Sequence, residues 1–372
     1  MILYFIGLTE SYEGEGYDRK NLKIPQNQEE LLAEIAETVG KDHIAAISFG
    51  GAPMDFSFEK NVGAILHMYL GGQAVGESVA DLISGEVNPS GKLAETIPFS
   101  EKDTPAWRYF APPNDDVEYR ESIFVGYRYY ETFHVPVKYP FGYGLSYTSF
   151  SYSELNVPEV YSGGKIQIRF KIKNIGKVSG AEIAQLYICP IESDVIRSHI
   201  ELKGFQKIYL HPGEEKEVIL ELDERSFSVY DVEKKTFSML SGKYQICIGA
   251  SVHDLQLVGN SYFRNERELF PDYFREQPHG MEISAEQFYQ LLGGEPKHDK
   301  EIKRGEYTVY DSYQDVVNVS MFGKFVRGVV HIGLKIILRG KSERDPAFKM
   351  VKMGVEEGNL EGLIATSGGI AT

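Results

Sequence analysis

Residues 7–22 read Gly-Leu-Thr-Glu-Ser-Tyr-Glu-Gly-Glu-Gly-Tyr-Asp-Arg-Lys-Asn-Leu and directly follow the apolar run Ile2 to Ile6. This segment, which we call the acid loop, sets Glu10, Glu13 and Glu15 among glycines. A short apolar run that ends in a polar, Gly-rich segment predicts a buried strand that delivers a loop. In open α/β sheets, the loops that follow parallel strands carry the binding groups.

The position of the acid loop in the chain is informative, because a parallel strand of this kind is normally covered by earlier strand–helix units. Only a handful of residues precede the loop here. We therefore expect the chain to begin inside a domain.

Residues 1–100 alternate between strand-like and helix-like patterns, which is typical of an α/β layer. The predicted elements are a strand at 2–6, a helix at 28–39, a strand at 43–49, and helices at about 60–70 and about 73–84. The sequence therefore predicts a partial α/β sandwich domain over residues 1–100.

The rest of the chain divides into three parts. Residues 101–147 are rich in aromatic residues and proline and predict an ordered, extended linking segment. Residues 148–262 alternate with period two and contain regular turn signals, which predicts an all-β sandwich. Residues 263–372 predict a C-terminal extension with helices, in which Val316 to Leu338 forms one helix with apolar residues near helical spacing.

Several short motifs, taken in order, resemble family 3 glycoside hydrolases, the β-glucosidase and β-xylosidase group. The motifs are Glu13-Gly14-Glu15-Gly16-Tyr17-Asp18-Arg19, Gly50-Gly51-Ala52-Pro53, Gly71-Gly72-Gln73-Ala74-Val75-Gly76, Asn88-Pro89-Ser90-Gly91-Lys92-Leu93, Tyr119-Arg120-Glu121 with Val125-Gly126-Tyr127-Arg128-Tyr129-Tyr130, and Tyr139-Pro140-Phe141-Gly142-Tyr143-Gly144-Leu145-Ser146-Tyr147-Thr148. The resemblance covers residues 1 to about 262 closely. It implies that residues 148–262 form a fibronectin type III-like sandwich.

The resemblance also implies a retaining mechanism that uses two carboxyl groups. Family members hold the nucleophilic aspartate in a (β/α)8 barrel, and no eight-fold strand and helix pattern occurs in this sequence. We therefore expect a C-terminal portion of a β-glucosidase-like hydrolase that carries the acid/base glutamate and is inactive alone. The barrel would either be supplied by another chain or have been lost from this gene.

The motif favours Glu15 as the acid/base, because Glu15 adjoins the Gly16-Tyr17-Asp18-Arg19 segment that resembles the family most closely. Glu13 is the second candidate, and a shift of the alignment brings Glu10 into register. The alternative for each carboxylate is a structural role, either capping a helix or binding loop amides.

Residues around these candidates have expected supporting roles. An ion pair between Asp18 and Arg19 is expected to hold the loop. Tyr119, Arg120 and Glu121 precede an aromatic run that is expected to line the aglycone side, because sugar rings stack on aromatic side chains. The alternative for these rings is packing between domains.

The formal charge of −15 over 372 residues argues against nucleic acid and anionic membranes as partners, since both would repel it. It suits a neutral ligand such as a β-linked oligosaccharide or an aryl glycoside. The nine histidines show no HExxH spacing and there is no CxxC, so we expect no metal and no cofactor.

Other features bear on location and assembly. The segment Met1 to Ile6 lacks a signal-peptide pattern, which predicts a cytoplasmic protein. Basic residues accompany the stretch Val329 to Leu338, as in amphipathic membrane helices, but packing on protein is the favoured interpretation; they are Lys324, Arg327, Lys335 and Arg339. An uncovered sheet and the aromatic segment favour a homo-oligomer. The alternative function is a catalytically inactive carbohydrate-binding or interaction module.

Overall fold

A computed structural model gives the architecture as two compact units. Unit 1 combines residues 1–72 with residues 298–372, and unit 2 consists of residues 73–297. The residues that the structure describes are 1–14, 19, 21–110, 117–161, 163–191, 193, 195–231, 234–263, 284–295, 303–309, 311–337, 339, 345–356, 358 and 361.

Unit 1 is built on a parallel sheet of three strands in the order β1-β2-β3. The strands are β1 (Ile2–Gly7), β2 (Ile44–Phe49) and β3 (Ala64–His67). Ile2 of β1 pairs with Ile44 of β2, and the register continues without a break to Gly7 and Phe49. This register brings the carboxyl ends of the strands to one edge of the sheet.

Helix α1 (Gln26–Val39) connects β1 to β2 and buries Leu32 completely. The Tyr4 hydroxyl donates a 2.8 Å hydrogen bond to the carbonyl of Gln28. The Gln28 side chain in turn accepts from the amide of Gly7 at 2.9 Å and donates to its carbonyl at 3.1 Å. A Cβ atom at Gly7 would lie 2.6 Å from the carbonyl oxygen of Phe49, so only glycine fits at the end of β1.

The helix expected at about 60–70 is wrong, because this stretch forms strand β3 after a short 3₁₀ turn at Ser57–Asn61. β3 pairs in parallel with β2, and Ala45 lies opposite Ala64. The reason for the error is physical: an apolar run without polar alternation suits a strand buried in a parallel sheet as well as a buried helix. The pairing with β2 decides between them, and it is not visible in the local sequence.

Unit 2 begins with helix α2 (Val75–Ser84), followed by an irregular region that is less extended than the sequence suggests. This region contains a short antiparallel pair, β4 (Ile97–Pro98) with β5 (Val137–Tyr139), and the helix α3 (Tyr127–Thr132). The α3 rings are buried, and the Tyr127 ring stacks on Phe141 with centroids 4.7 Å apart. Glycine at position 126, with φ of 58°, starts this helix where other residues would be strained.

The remainder of unit 2 is the predicted β-sandwich. Its ten strands among the described residues are β6 (Phe150–Asn156), β7 (Val160–Tyr161), β8 (Lys165–Asn174), β9 (Gly180–Pro190), β10 (Glu201–Leu210), β11 (Glu215–Asp223), β12 (Ser228–Asp231), β13 (Thr236–Met239), β14 (Gly242–Ser251) and β15 (Asp254–Phe263). One sheet has the order β10-β9-β14-β15-β7 and the other β11-β8-β6, with β12-β13 as a separate hairpin.

The alternation that predicts the sandwich is confirmed in β8, where Ile166, Ile168, Phe170 and Ile172 are buried and belong to one hydrophobic core. The two cysteines are free and buried on the neighbouring strands β9 and β14. Their sulfur atoms, Cys189 Sγ and Cys247 Sγ, lie 3.8 Å apart.

The C-terminal extension is helical where it is described. Its helices are α4 (Ala285–Leu292) in unit 2, and α5 (Tyr313–Val319), α6 (Met321–Ile337) and α7 (Pro346–Glu356) in unit 1. The single helix expected from Val316 to Leu338 is therefore two helices, which separate at Ser320 in extended backbone. Among the described residues, no helix is long and apolar enough to cross a membrane.

The expected packing of the tail helix is observed only in part. Val316 and Val317 of α5 are buried, whereas Phe325 and Val329 of α6 are exposed. The side chains of Phe322, Val326 and Val330, part of the same apolar pattern, lie outside the described part of the structure.

The family-like motifs around Asn88 and Tyr147 meet at the base of the sandwich within unit 2. The Asn88 side chain donates to the carbonyl of Ser179 at 3.0 Å and accepts from the amide of Tyr147 at 2.8 Å. Lys92 donates to the carbonyl of Gly144 at 3.1 Å. Through these hydrogen bonds, the motifs hold the segment that precedes the sandwich against the sandwich strands.

Lys92 also forms a buried ion pair with Glu182 of β9, in which the Nζ and Oε1 atoms are 3.0 Å apart. Both side chains are almost excluded from solvent. Burial raises the pKa of the Glu182 carboxyl, and the charge and hydrogen bond of Lys92 oppose that rise. The carboxylate is therefore tolerated in this position because Lys92 faces it.

Replacing Lys92 by Met should lower the free energy of unfolding of unit 2 by about 3 kcal/mol, since it leaves a buried carboxylate without its cation. Denaturant unfolding followed by circular dichroism measures this. The double variant Lys92→Met with Glu182→Leu should recover most of the loss. A double variant as unstable as the single one would show that the ion pair is not the source of the effect.

Candidate active site

The candidate site lies where the three strands of unit 1 end. Because parallel strands end at the same edge of a sheet, three loops meet there: the acid loop after β1, residues 50–56 after β2, and residues 68–72 after β3. We call residues 50–56 the glycine loop, since it begins with Gly50-Gly51.

The glycine loop binds the side chain of Glu13. The amide of Gly51 lies 2.9 Å from Glu13 Oε1 and 3.1 Å from Oε2, and the amide of Ala52 lies 3.1 Å from Oε2. Hydrogen bonds from backbone amides to a carboxylate are charge-assisted and stronger than neutral ones. Glu13 thus anchors the acid loop to the glycine loop, which is the structural alternative raised for these carboxylates.

Arg19 makes a second connection between the same loops. Its guanidinium donates to the carbonyl of Pro53 at 2.7 Å and to the carbonyl of Lys23 at 3.0 Å. Burial lowers the pKa of Arg19, and the carboxylates of Glu13 and Asp55 oppose that change. The contacts support the predicted role of Arg19 as a loop brace. Its predicted partner Asp18 lies outside the described residues.

Backbone hydrogen bonds complete the connection. The amide of Leu8 donates to Phe49 at 3.1 Å, and the amide of Asp55 donates to Leu22 at 3.0 Å. On the other side, the amide of Gly50 donates to Tyr69 at 3.3 Å. The glycine loop is therefore bound to both of its neighbours, and the edge of the sheet carries a connected set of three loops.

The structure separates the three candidate glutamates. Glu13 is engaged by backbone amides, and Glu10 is exposed to solvent. Glu15, the first candidate for the acid/base, lies outside the described residues. Its assignment stays a prediction, and it is favoured further because the structural role of Glu13 uses both of that side chain's oxygens.

The buried Ser48 and the half-buried His67 form a pair just below these loops, at the ends of β2 and β3. Ser48 Oγ and His67 Nδ1 are 2.9 Å apart, and the His67 ring packs against Phe56 and Tyr69. Burial lowers the pKa of His67 to about 4, against an opposing hydrogen bond to Ser48. The imidazole is therefore neutral near pH 7. Sequence reasoning missed this pair, because the stretch that carries His67 was predicted to be helical.

The predicted aglycone residues belong to unit 2. Arg120 lies over the Tyr109 ring, 4.2 Å from its centroid, and its Nε donates to Glu118 at 2.5 Å. Tyr119 is 71% exposed. Arg120 is thus held by its own segment, while the Tyr119 ring is open to solvent. Their predicted contact with substrate stays a prediction.

The buried rings that follow in the same motif pack against protein. The Tyr127 hydroxyl accepts from the amide of Leu202 at 2.8 Å, and Phe124, Tyr129 and Tyr130 lie in a hydrophobic cluster. For these residues the structure supports the packing alternative. Among the described residues, no group of three or more His, Cys, Asp or Glu side chains is arranged to hold a metal ion.

Comparison with known proteins gives a family for this arrangement. Residues 1–147 match the glycosyl hydrolase family 3 C-terminal domain, and residues 182–252 match the fibronectin type III-like domain. The chain carries the C-terminal part of a family 3 glycoside hydrolase. The fold class predicted from sequence, a partial α/β domain followed by a fibronectin type III-like sandwich, is thereby confirmed.

Curated relatives of this family 3 chain include the thermostable beta-glucosidase B of Acetivibrio thermocellus, 44% identical over 255 residues. An exo-alpha-(1->6)-L-arabinopyranosidase of Bifidobacterium breve is 38% identical over the same length. These matches cover 68% of the chain but only 34% and 33% of the relatives. The chain thus spans about a third of the length of the curated relatives it matches.

Solved structures with a similar fold include two beta-glucosidases. The family 3 beta-glucosidase of Bifidobacterium adolescentis is 35% identical with a TM-score of 0.67, covering 74% of this chain and 42% of that one. The beta-glucosidase 3B of Thermotoga neapolitana in complex with alpha-D-glucose is also 35% identical, with a TM-score of 0.65 over 73% of this chain and 39% of that one.

Replacing Glu13 by Ala should release the glycine loop and lower the free energy of unfolding of unit 1 by about 2 kcal/mol, since charge-assisted hydrogen bonds are lost. Hydrogen exchange should show the amides of Gly51 and Ala52 exchanging faster. The control Glu37→Ala, on the exposed side of α1, should change neither. Unchanged exchange at Gly51 in Glu13→Ala would contradict the anchor role.

His67 should make the stability of unit 1 depend on pH. Its pKa is about 4 when folded and 6.5 unperturbed, so the unfolded state binds the proton first as pH falls. Stability should therefore drop from pH 6.5 to 4, by about 2 kcal/mol after allowance for partial solvent screening. In His67→Gln this part of the pH dependence should vanish, whereas the exposed control His43→Gln should keep it. Denaturant unfolding at each pH measures the free energy of unfolding. If this free energy changes with pH equally in His67→Gln and His43→Gln, His67 is not the group responsible.

Proposed function

We propose that this chain supplies the acid/base half of a retaining β-glucosidase site, with Glu15 as the catalytic acid/base and Glu13 as its structural neighbour. The observation that carries the proposal is the three-point contact of Glu13 with the Gly51 and Ala52 amides. The two amides engage both carboxylate oxygens of Glu13, so this side chain is committed to the contact between the two loops. Of the two glutamates in the family-like motif, Glu15 is left for proton transfer.

The chemistry divides between two carboxyl groups. In the first step, the acid/base protonates the glycosidic oxygen as the nucleophilic carboxylate attacks the anomeric carbon, and in the second it deprotonates the incoming water. The proposal places the nucleophile in a barrel domain, in the same polypeptide or in another. The loop carrying Glu15 must then be held steady at the mouth of that barrel, which the contacts of Glu13 and Arg19 support.

The substrate class follows from the relatives, one named for β-glucosides and another for an L-arabinopyranoside. We propose terminal glycosides of neutral sugars, as oligosaccharides or aryl glycosides. Tyr119, whose ring is exposed, Arg120 and Glu121 are proposed to line the aglycone side. The amide of Phe124 donates to the carbonyl of Glu121 at 2.7 Å and holds their turn.

An association surface for the barrel or a second copy is proposed on β1. This strand lies at the edge of the sheet, and its side chains Leu3 and Phe5 are 38% and 58% exposed. Apolar side chains on an unpaired edge strand favour association with another protein surface.

The test is hydrolysis of a nitrophenyl β-glucoside by the chain alone and with a family 3 barrel domain added in trans. The chain alone should give no turnover, because it lacks the nucleophile. In the assembled enzyme, Glu15→Gln should lower kcat at least about a hundredfold, the usual contribution of a general acid/base. Glu13→Gln should lose stability and less activity.

Two outcomes would contradict the proposal. Turnover by the chain alone that is lost in Glu15→Gln would mean that it contains its own nucleophile. A larger loss of kcat in Glu13→Gln than in Glu15→Gln, at equal folded fraction, would exchange the two roles.

The second candidate is a carbohydrate-binding module without catalysis. The rings of Trp107, Phe110 and Tyr119 are all largely exposed in the same segment of unit 2, which favours stacking on sugar rings. Calorimetric binding of cello-oligosaccharides by the chain alone, lost in Trp107→Ala and Tyr119→Ala, would support this function. Inactivity of the enzyme assembled with the barrel would then exclude the catalytic one.

A further inference from the structure

The C-terminal extension touches the acid loop. The Lys349 ammonium, on α7, donates a 2.8 Å hydrogen bond to the carbonyl of Ser11, 338 residues earlier in the chain. Both residues belong to unit 1, which joins residues 1–72 to residues 298–372 and not to the sandwich that precedes the extension in sequence. The extension therefore returns to the parallel sheet.

The contact is made at a defined point of the loop. Residues 9–13 form a tight turn, in which the carbonyl of Thr9 accepts from the amide of Tyr12 at 2.8 Å and from that of Glu13 at 3.1 Å. Ser11 lies at the centre of this turn. Glu13, at its end, is the residue fixed to the glycine loop. Lys349 and the glycine loop thus hold the same turn at positions two residues apart.

Lys349 and Ser11 are both half-buried, so the hydrogen bond is partly shielded from water. Helix α7 is capped at its start, where the amide of Ala347 donates to the Asp345 carboxylate at 2.9 Å, and it packs against α5. A lysine on a fixed helix loses less conformational entropy when it binds than one on a free segment would. These features make Lys349 a suitable brace.

Neither family match includes this part of the chain, because the matched residues are 1–147 and 182–252. A role for α7 in the site is therefore an additional property of this chain.

We propose that α7 positions the acid loop and that Lys349 is the positioning residue, an inference that rests on the proposed function of that loop. Lys349 does not touch substrate in this proposal. It fixes the turn at Ser11, and so limits the positions that the carboxylates of the loop adopt. A small displacement of an acid/base is enough to slow proton transfer considerably.

The first test needs no activity. Hydrogen exchange is measured on the whole chain for Lys349→Met, Lys349→Arg and the control Lys335→Met, which removes an exposed lysine from α6. The amides of Tyr12 and Glu13 should exchange about tenfold faster in Lys349→Met, and Lys349→Arg should restore part of the protection. The control should match the unaltered chain. Unchanged exchange in Lys349→Met would overturn the proposal.

The second test uses the enzyme assembled with the barrel domain. Lys349→Met should lower kcat for a nitrophenyl β-glucoside about tenfold with little change in KM, because the loop is displaced while substrate binding is kept. Lys349→Arg, which retains the hydrogen bond to Ser11, should restore most of kcat. An active enzyme in which Lys349→Met leaves kcat unchanged would overturn the positioning role.

The two tests separate the possible failures. If the unaltered assembled enzyme is inactive, the proposed hydrolase function fails, while the exchange result still decides whether α7 holds the loop. If the enzyme is active and exchange is unaffected, the hydrolase function stands and the role of Lys349 is wrong.

Discussion

The parallel register of three strands is the constraint on which the site depends. Because β1, β2 and β3 run in the same direction, their loops meet at one edge, and residues distant in sequence come into contact. Glu13 reaches the Gly51 amide over 38 positions of sequence and turns this proximity into a fixed connection. Because Glu13 is fixed to the glycine loop, it restricts the position of the neighbouring residues of the acid loop. Glu15, the residue proposed to transfer the proton, is one of these neighbours.

The family-like motifs of unit 2 serve a different purpose. Asn88, Lys92 and Tyr147 connect the segment before the sandwich to strand β9 and its neighbours, through hydrogen bonds and one buried ion pair. Most of the aromatic residues in the Tyr127–Thr132 helix are packed inside the protein. These residues thus hold the segment before the sandwich in place, whereas Tyr119 and Arg120, in the same set of motifs, are the ones proposed to contact the aglycone.

Sequence reasoning succeeded where the signal is local. The apolar run at residues 2–6 and the alternation in β8 predicted strands, since each pattern is complete within one element. It failed at residues 60–70, where the pairing partner β2 decides between helix and strand, and at Ser320, where one predicted helix is two. A short apolar run without polar alternation does not by itself distinguish a strand from a helix segment.

The candidate site could also be predicted only in part. The acid loop and its candidate glutamates follow from the motif, but the distinction between Glu13 and its neighbours needed the position of the glycine loop. The contact of Lys349 with Ser11 has no sequence signal at all, because it joins opposite ends of the chain through the folded structure. Contacts of high sequence separation are set by the fold as a whole, and pattern analysis does not detect them.

The most direct test of the division of roles between Glu15 and Glu13 is azide rescue in the enzyme assembled with the barrel domain. Azide attacks a glycosyl-enzyme intermediate without help from a general base, so it should restore turnover of a dinitrophenyl β-glucoside only where the acid/base is missing. The account predicts rescue of Glu15→Ala, with a β-glucosyl azide as product, and no rescue of Glu13→Ala. Rescue of Glu13→Ala, with Glu15→Ala unresponsive, would contradict it.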